Sequence, residues 1–382
     1  MEADLDPLSQ VTQVAVPADF IDLGLGDPQL ALLPQEMIHQ AARDRLSMDD
    51  PMYLQYGANQ GDGPFRHSLA KFLEKGYGFP VDPGELFITS GASMGLHLVC
   101  SFFTQPGDTV FIEEPTYMFA LRIFADHGLQ LIPLEIDADG LVIESLEKNL
   151  AQCHPKFLYL IPTYQNPSGR TLTQERREQA VALSQEHGFL IVADEVYHLL
   201  SYREIPPKPF AAYAAAGNII SLGSFSKILA PGLRLGWFHA GQTIIERFVN
   251  SGLLESGGGM NPFTSAILRS VLDTGGLEQN IARLIGIYRN RLATMDNALR
   301  KDIPELEYTP PGGGYFIWTR LPDGLTAREL QTKAKSFRVG FRPGTLFSSR
   351  GSMQEYIRLC FVFYDVGDLA EGIFRLKEAL HS

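Results

Sequence analysis

The amino-acid sequence predicts an α/β protein with a mostly parallel sheet covered by helices on both faces, together with a smaller α+β domain. Two observations support this fold class. Short apolar runs alternate with amphipathic helical patterns through the middle of the 382-residue chain. After about residue 275 the pattern changes to one long helical segment followed by short alternating strands. Because repeated strand–helix–strand units place helices on both faces of a parallel sheet, we predict that arrangement for the middle of the chain.

Six apolar runs have the length of buried strands. They lie at 85–89, 109–112, 129–134, 157–161, 189–193 and 218–222. Between two of these runs, residues 174–187 form an amphipathic helical pattern, and Gly188 follows it as a stop signal. A second, more apolar helix is predicted over 94–103.

The last third of the chain predicts a separate packing unit. A long helix is expected over 277–300, followed by strands at 315–320 and 356–363. We therefore predict a large domain over residues 46–275. The small domain then consists of residues 276–382 together with the N-terminal segment 1–45.

The composition narrows the possible functions. Acidic residues outnumber basic residues 44 to 32, which argues against general affinity for nucleic acid or anionic membranes. No apolar run approaches the roughly 20 residues that a membrane span needs, and the acidic first residues lack the layout of a signal peptide. Cys100, Cys153 and Cys360 lie far apart without metal-site spacing, so we expect reduced cysteines, no metal and a cytoplasmic location.

The densest chemical signal lies at residues 221–237, directly after a predicted strand. There, Ser224, Ser226 and Arg234 can together hold a dianionic phosphate, with the arginine as a bidentate donor. Lys227 lies beside them and is followed by two apolar residues. Desolvation and neighbouring cations would lower the pKa of this lysine, as a Schiff-base lysine requires.

Other polar residues follow other predicted strands. Asn166 lies in a turn after the run at 157–161, and Asp194 directly follows the run at 189–193. A carboxylate at the carboxyl end of a parallel strand sits where such sheets bind ligands. The turn at 89–93 precedes a predicted helix, whose first backbone N–H groups suit a phosphate.

The string at 221–237 resembles the cofactor-lysine motif of fold-type I pyridoxal-phosphate (PLP) enzymes, the class I/II aminotransferases. Its form most resembles the branch that contains 2-aminoadipate and kynurenine-type aminotransferases, and the resemblance covers nearly the whole chain. It implies PLP as the cofactor and a ping-pong transfer of an amino group from an L-amino acid to a 2-oxo acid. It also implies a homodimer with a shared active site.

The resemblance assigns roles to individual residues. Lys227 would bond PLP and move the substrate proton, Asp194 would pair with the pyridinium nitrogen, and Asn166 and Tyr197 would hydrogen-bond the phenolic oxygen. Tyr117 would stack on the ring. The phosphate contacts would come from Ala92, Ser93, Ser224, Ser226, Arg234 and, from the neighbouring subunit, Tyr56.

The resemblance also implies a substrate site. Arg358 lies within an apolar strand, where an arginine is costly unless it is paired, and it matches the family residue that binds the α-carboxylate. Gly26 belongs to the glycine segment (residues 22–28), which would lie over the substrate near Asn166. Arg342 occupies a position that is usually small and apolar in the family. It is either a surface residue or a contact for an acidic or polar substrate side chain.

The sequence supports three other interpretations to different degrees. Gly24 and Gly26 lack the third glycine and the following helix of a dinucleotide-binding motif. A transcription regulator with an aminotransferase-like sensor would need a helix-turn-helix module of roughly 60 residues, whereas about 20 residues precede the glycine segment. A PLP-dependent C–S lyase, racemase or decarboxylase stays open, because the motifs do not dictate which bond breaks.

Overall fold

The structure is a computed structural model that describes residue 12 and residues 16–203 and 205–382. Within these residues the strands are β1 (Ile21–Asp22), β2 (Leu86–Thr89), β3 (Thr109–Glu114), β4 (Gln130–Asp137), β5 (Gly140–Leu141), β6 (Phe157–Leu160), β7 (Leu190–Asp194), β8 (Ile219–Ser224), β9 (Gly236–Ala240), β10 (Glu307–Tyr308), β11 (Phe316–Arg320), β12 (Val339–Gly340), β13 (Arg342–Pro343) and β14 (Tyr356–Cys360). The helices are α1 (Gln35–Leu46), α2 (Gly63–Tyr77), α3 (Ala92–Phe103), α4 (Met118–Asp126), α5 (Ile143–Leu150), α6 (Gln174–His187), α7 (Gln242–Val249), α8 (Gly252–Gly257), α9 (Pro262–Asp273), α10 (Gly276–Asp302), α11 (Ala327–Ser336) and α12 (Val366–Leu380).

The main sheet has eight strands in the order β2-β9-β8-β7-β6-β3-β4-β5. The pairings from β8 through β7, β6 and β3 to β4 are parallel. The pairings of β9 with β2 and β8, and of β4 with β5, are antiparallel. The predicted α/β fold is confirmed, although the sheet is mixed: β9 returns directly beside β8, and this strand was missed in the sequence.

Local sequence signals account for the element ends. The predicted helix at 174–187 matches α6, because Thr173 accepts a hydrogen bond from the backbone of Arg176 and Gly188 adopts a left-handed conformation with φ of 70°. The six predicted strands of the main sheet are all found. The inner parallel strands β3, β6, β7 and β8 are buried along nearly their whole length, as strands covered by helices on both faces must be, whereas β4, nearer the sheet edge, is mostly half-buried or exposed.

A second, antiparallel sheet has the order β10-β11-β14-β13. It follows the long helix α10, which packs against α12. Strand β1 pairs in parallel with β12, so the segment near the N-terminus lies beside the last third of the chain. The domain division at residues 46 and 275 stays a prediction. In the described part of the chain, none of the helices combines the length and apolarity needed to cross a membrane.

Candidate active site

The carboxyl ends of three adjacent parallel strands carry the central predicted residues. β6 leads into the turn with Asn166, β7 ends at Asp194, and β8 leads into the loop with Lys227. Asn166 and Asp194 are buried, and Lys227 is half-buried. The structure therefore brings these three residues to one edge of the sheet, where parallel α/β sheets bind ligands.

Asp194 is a buried carboxylate whose two oxygens differ in their surroundings. Its Oδ2 atom accepts a hydrogen bond of 2.9 Å from the Tyr159 hydroxyl. Its Oδ1 atom is buried and has no hydrogen-bond partner among the described residues. Burial raises the pKa of Asp194 to about 6, against the lowering effect of the Tyr159 hydrogen bond. An orphaned buried acceptor is costly, and it suits a ligand N–H group.

Lys227 contacts the glycine segment. Its Nζ atom donates a hydrogen bond of 2.9 Å to the carbonyl of Gly26 and lies 5.3 Å from the centroid of the Tyr315 ring. Burial lowers the pKa of Lys227, with the carboxylates of Asp27 and Asp194 acting in the opposite direction. A lowered pKa makes the neutral, nucleophilic amine more accessible.

Arg358 on β14 contacts the same segment two residues earlier. Its Nη1 atom donates to Asn166 Oδ1 at 2.9 Å, and its Nη2 atom donates to the carbonyl of Gly24 at 2.8 Å. The guanidinium lies 3.9 Å from the Phe316 ring centroid and 4.9 Å from that of Phe347. Its buried Nε atom has no partner within the described ranges. Burial lowers the pKa to about 10, so the side chain stays cationic at neutral pH and can bind an anion.

The turn before α3 meets the loop after β8. Gly91 has a φ of 89°, and a Cβ atom there would lie 2.9 Å from Arg234 Nη2. The same Nη2 atom donates to the carbonyl of Ser90 at 3.2 Å. Asn261, which sequence analysis did not identify, donates to Ser90 Oγ at 3.2 Å. The helix start at Ala92 and the Arg234 guanidinium therefore share one location.

The other predicted residues differ in how far their side chains are exposed to solvent. Ser224 is buried and accepts a hydrogen bond of 3.1 Å from the backbone of Ser226. Tyr197 is buried, with its ring 5.4 Å from that of Tyr315. Ser93 is exposed on the first turn of α3, and Tyr117 is half-buried at the start of α4. In contrast, the side chain of Tyr56 is 79% exposed, and its predicted contact with a neighbouring subunit stays a prediction.

Arg342 is not the surface residue that one interpretation of the sequence offered, and its contact with a substrate side chain stays a prediction. Its side chain is only 30% exposed, and its Nη1 atom lies 3.2 Å from Asp22 Oδ2. It is the direct cross-strand neighbour of Arg358. Arg342 is therefore a half-buried, paired cation rather than a free surface residue.

A buried arginine that sequence analysis missed holds the strand ends together. The side chain of Arg177 is inaccessible to solvent, donates to the carbonyl of Pro162 at 2.7 Å and lies 3.7 Å from Glu195. Glu195 in turn accepts a hydrogen bond of 2.6 Å from Ser221 on β8. The spacing in α6 could have identified Arg177. Residues three apart on a helix lie on the same face, and Arg177 lies three residues before buried, apolar Ala180.

The chain matches known proteins over nearly its full length. The family model for aminotransferase class I and II matches residues 18–372. An aromatic-amino-acid aminotransferase of Thermococcus litoralis is 31% identical over 98% of this chain and 91% of that protein. A 2-aminoadipate transaminase of Thermus thermophilus is 33% identical over 93% of this chain and 88% of that protein. The crystal structure of Pyrococcus horikoshii kynurenine aminotransferase, in complex with PMP, KYN as substrate and KYA as product, has a TM-score of 0.90 and 34% identity, with 96% and 91% of the two chains covered.

The described residues fit pyridoxal phosphate. The Lys227 amine can bond an aldehyde, and Asp194 Oδ1, which has no hydrogen-bond partner in the described part of the chain, can accept one from a protonated ring nitrogen. The helix start at Ala92, together with Arg234, can hold a phosphate. This chain belongs to the class I and II aminotransferases, and its activity is the PLP-dependent transfer of an amino group.

Proposed function

We propose that Lys227, Asp194 and Arg358 carry the transfer of an amino group from an L-amino acid to a 2-oxo acid in two half-reactions. One observation supports this most directly: Arg358 and Lys227 donate hydrogen bonds to the carbonyls of Gly24 and Gly26, at 2.8 and 2.9 Å. Two residues of chain span at most about 7 Å. The positive charge of Arg358 also acts to lower the pKa of Lys227, which supports the proposal that the two side chains bind the α-carboxylate and reach the α-carbon of one amino acid.

Each residue has a distinct part in this mechanism. PLP, when bound, supplies an electron sink for the α-carbon. Asp194 favours a protonated ring nitrogen by presenting its free Oδ1 atom, and Tyr159 holds the other oxygen in place. Arg358 binds and orients the α-carboxylate. The Lys227 amine removes the α-proton and returns a proton, acting as general base and then as general acid.

The remaining contacts complete the proposed cofactor site. Asn166 and Tyr197 would donate hydrogen bonds to the phenolic oxygen, and Tyr117 would cover the ring. The hydrogen bond between Asn166 and Arg358 supports the proposal, as do the electrostatic effects of Asp194 on Tyr117 and Tyr197. The phosphate would be held by Ala92, Ser93, Ser224, Ser226 and Arg234.

We also propose a homodimer in which Tyr56 reaches the phosphate bound to the partner subunit. The side chain of Tyr56 is 79% exposed, and nearby Met52 and Leu54 are 79% and 71% exposed. Large apolar side chains exposed together mark interaction surfaces. Sedimentation equilibrium should give twice the chain mass, and Tyr56→Phe should weaken cofactor binding. A monomeric, fully active enzyme would contradict this proposal.

Two broader assignments accompany this function. We propose a large domain over 46–275 and a small domain from 1–45 and 276–382, since the eight-stranded sheet and the four-stranded sheet fall on either side of residue 275. We propose a cytoplasmic location because Cys100 and Cys360 are buried free thiols, which suit a reducing compartment.

The test is a half-reaction screen of L-amino acids with the PLP-loaded enzyme and no 2-oxo acid. The panel should include aromatic amino acids, kynurenine and 2-aminoadipate, the substrate classes for which the relatives are named. Amino transfer predicts one 2-oxo acid per active site and a loss of visible absorbance. Release of ammonia, sulfide or carbon dioxide, or formation of a D-amino acid, would instead indicate the lyase, decarboxylase or racemase alternative.

A further inference from the structure

The glycine segment contacts both of the cations to which the proposed function assigns a role. Its Gly24 carbonyl accepts a hydrogen bond from Arg358, and its Gly26 carbonyl accepts one from Lys227. A shift of this segment would therefore move the acceptors of both side chains together. A misplacement of about 1 Å can cost roughly 100-fold in rate.

Asp22 holds the beginning of this segment through three contacts. Its backbone N–H donates to the Tyr364 hydroxyl at 2.9 Å. Its Oδ1 atom accepts a hydrogen bond of 2.9 Å from the backbone of Gly24, and its Oδ2 atom accepts one of 3.2 Å from Arg342 Nη1. One carboxylate thus links the backbone of the segment to strand β13.

Arg342 also packs against the segment and faces Arg358. A Cβ atom on Gly24 would lie 2.9 Å from Arg342 Cγ, so the absence of a side chain at Gly24 permits this close approach. Arg342 and Arg358 are direct neighbours across β13 and β14. The negative charge of Asp22 neutralises the positive charge of Arg342. Of the two neighbouring arginines, Arg358 is therefore the one whose charge is available to the α-carboxylate. The Asp22 and Arg342 side chains are 17% and 30% exposed, so solvent screens their attraction only in part.

We propose that Asp22 and Arg342 form a latch that positions the glycine segment, and through it Arg358 and Lys227. Both are positioning residues, and Arg342 does not read the substrate side chain. This inference rests on the roles proposed above for Arg358 and Lys227. It predicts that loss of the latch weakens the binding of acidic and neutral amino acids alike.

The test is a double-mutant cycle of Asp22→Asn, Arg342→Gln and the double variant. Asparagine retains the acceptor for Gly24 N–H, so the change isolates the ion pair. Each single variant should lower kcat/KM by about tenfold, mainly through KM, and the double variant should also lose about tenfold because the two side chains act as one unit. Arg342→Lys should recover most of the loss, since a point charge can still pair with Asp22.

A second ion pair provides a matched control. Arg338 lies 3.5 Å from Asp19 and joins the same two parts of the chain, but these side chains are 59% and 77% exposed. Arg338→Gln should change kcat/KM by no more than about twofold, because exposed pairs contribute little. Unfolding midpoints of all variants separate a loss of fold from a loss of positioning. The dissociation constant for propionate, a carboxylate without an amino group, should rise only in the latch variants.

The outcomes separate the latch from the proposed function. If the two tenfold losses of kcat/KM multiplied to about 100-fold in the double variant, Asp22 and Arg342 would act independently, which would overturn the latch. A loss of kcat/KM confined to acidic substrates would also overturn it. Unchanged KM values in both single variants would do the same. Arg358→Leu is measured in parallel: normal activity in that variant would overturn the proposed function, and the latch with it.

Discussion

Arg358→Leu should impair every amino-acid substrate to a similar degree. Arg358 is 2% exposed, and burial lowers its pKa to about 10, so the wild-type side chain is charged throughout the working pH range. Its existing contacts use one donor each from Nη1 and Nη2. Since arginine has five N–H donors, three remain for a substrate carboxylate.

The magnitude follows from these contacts. A hydrogen bond to a charged group contributes about 1.5 to 3 kcal/mol, and about 1.4 kcal/mol corresponds to tenfold. Loss of the carboxylate contact should therefore lower kcat/KM by roughly 100-fold or more. Leucine would also leave Asn166 Oδ1 and the Gly24 carbonyl without their donor, at about 1 to 3 kcal/mol each. We therefore expect a lower unfolding midpoint as well.

The assay is single-turnover kinetics on one panel of acidic, neutral and aromatic amino acids, with the unfolding midpoint measured in parallel. Arg358→Lys should restore little activity, because an ammonium cannot reproduce the two-pronged guanidinium contact. Arg320→Leu is the matched control. Arg320 lies on β11 of the same sheet, is 38% exposed and pairs with Asp323 at 2.9 Å. Its replacement should leave kcat/KM within about twofold.

A loss confined to one class of side chain would refute the assignment of Arg358 to the α-carboxylate. Near-normal kcat/KM in a folded Arg358→Leu enzyme would refute it outright. Equal losses in the Arg320 control would show that the sheet as a whole, rather than the guanidinium of Arg358, is responsible.

Further predictions concern Lys227, Asp194 and Arg177. Lys227→Ala should abolish both turnover and the borohydride-reducible adduct while retaining the fold; an adduct on another lysine would contradict the assignment. Asp194→Asn should slow α-proton removal by about three or more powers of ten, read from single-turnover rates, each factor of ten being about 1.4 kcal/mol of barrier. Burial raises the pKa of Asp194 from 3.8 to about 6, so the folded cofactor-free chain binds more protons than the unfolded chain between these values. The contribution of Asp194 to the free energy of unfolding is therefore greatest below about pH 4 and falls as the pH rises to about 6. The unfolding free energy measured in urea should change less with pH in Asp194→Asn than in the wild-type chain. Arg177→Leu should destabilise the fold by about 3 to 5 kcal/mol, because it leaves buried Glu195 without its cation; an unchanged unfolding free energy would show that the pair is dispensable.

The sequence predicted the parts of the site that depend on local pattern. Asn166, Asp194 and Lys227 were each placed after an apolar run, and carboxyl ends of neighbouring parallel strands meet at one edge of the sheet. The bounds of α6 followed from its capping threonine and its terminal glycine. These signals lie within a few residues of the elements they define, so they can be read without knowledge of the fold.

The tertiary structure decided which distant polar groups meet. Tyr159 bonds Asp194 across 35 residues, and Arg342 bonds Asp22 across 320 residues. In the sequence, Tyr159 is one apolar strand residue among several, and Arg342 has many possible carboxylate partners. The antiparallel orientation of β9 likewise depends on its pairing with β8 and is not indicated by the residues of β9 themselves. A polar group gains a specific partner only when packing brings both into the same water-poor space, and that packing is a property of the whole chain.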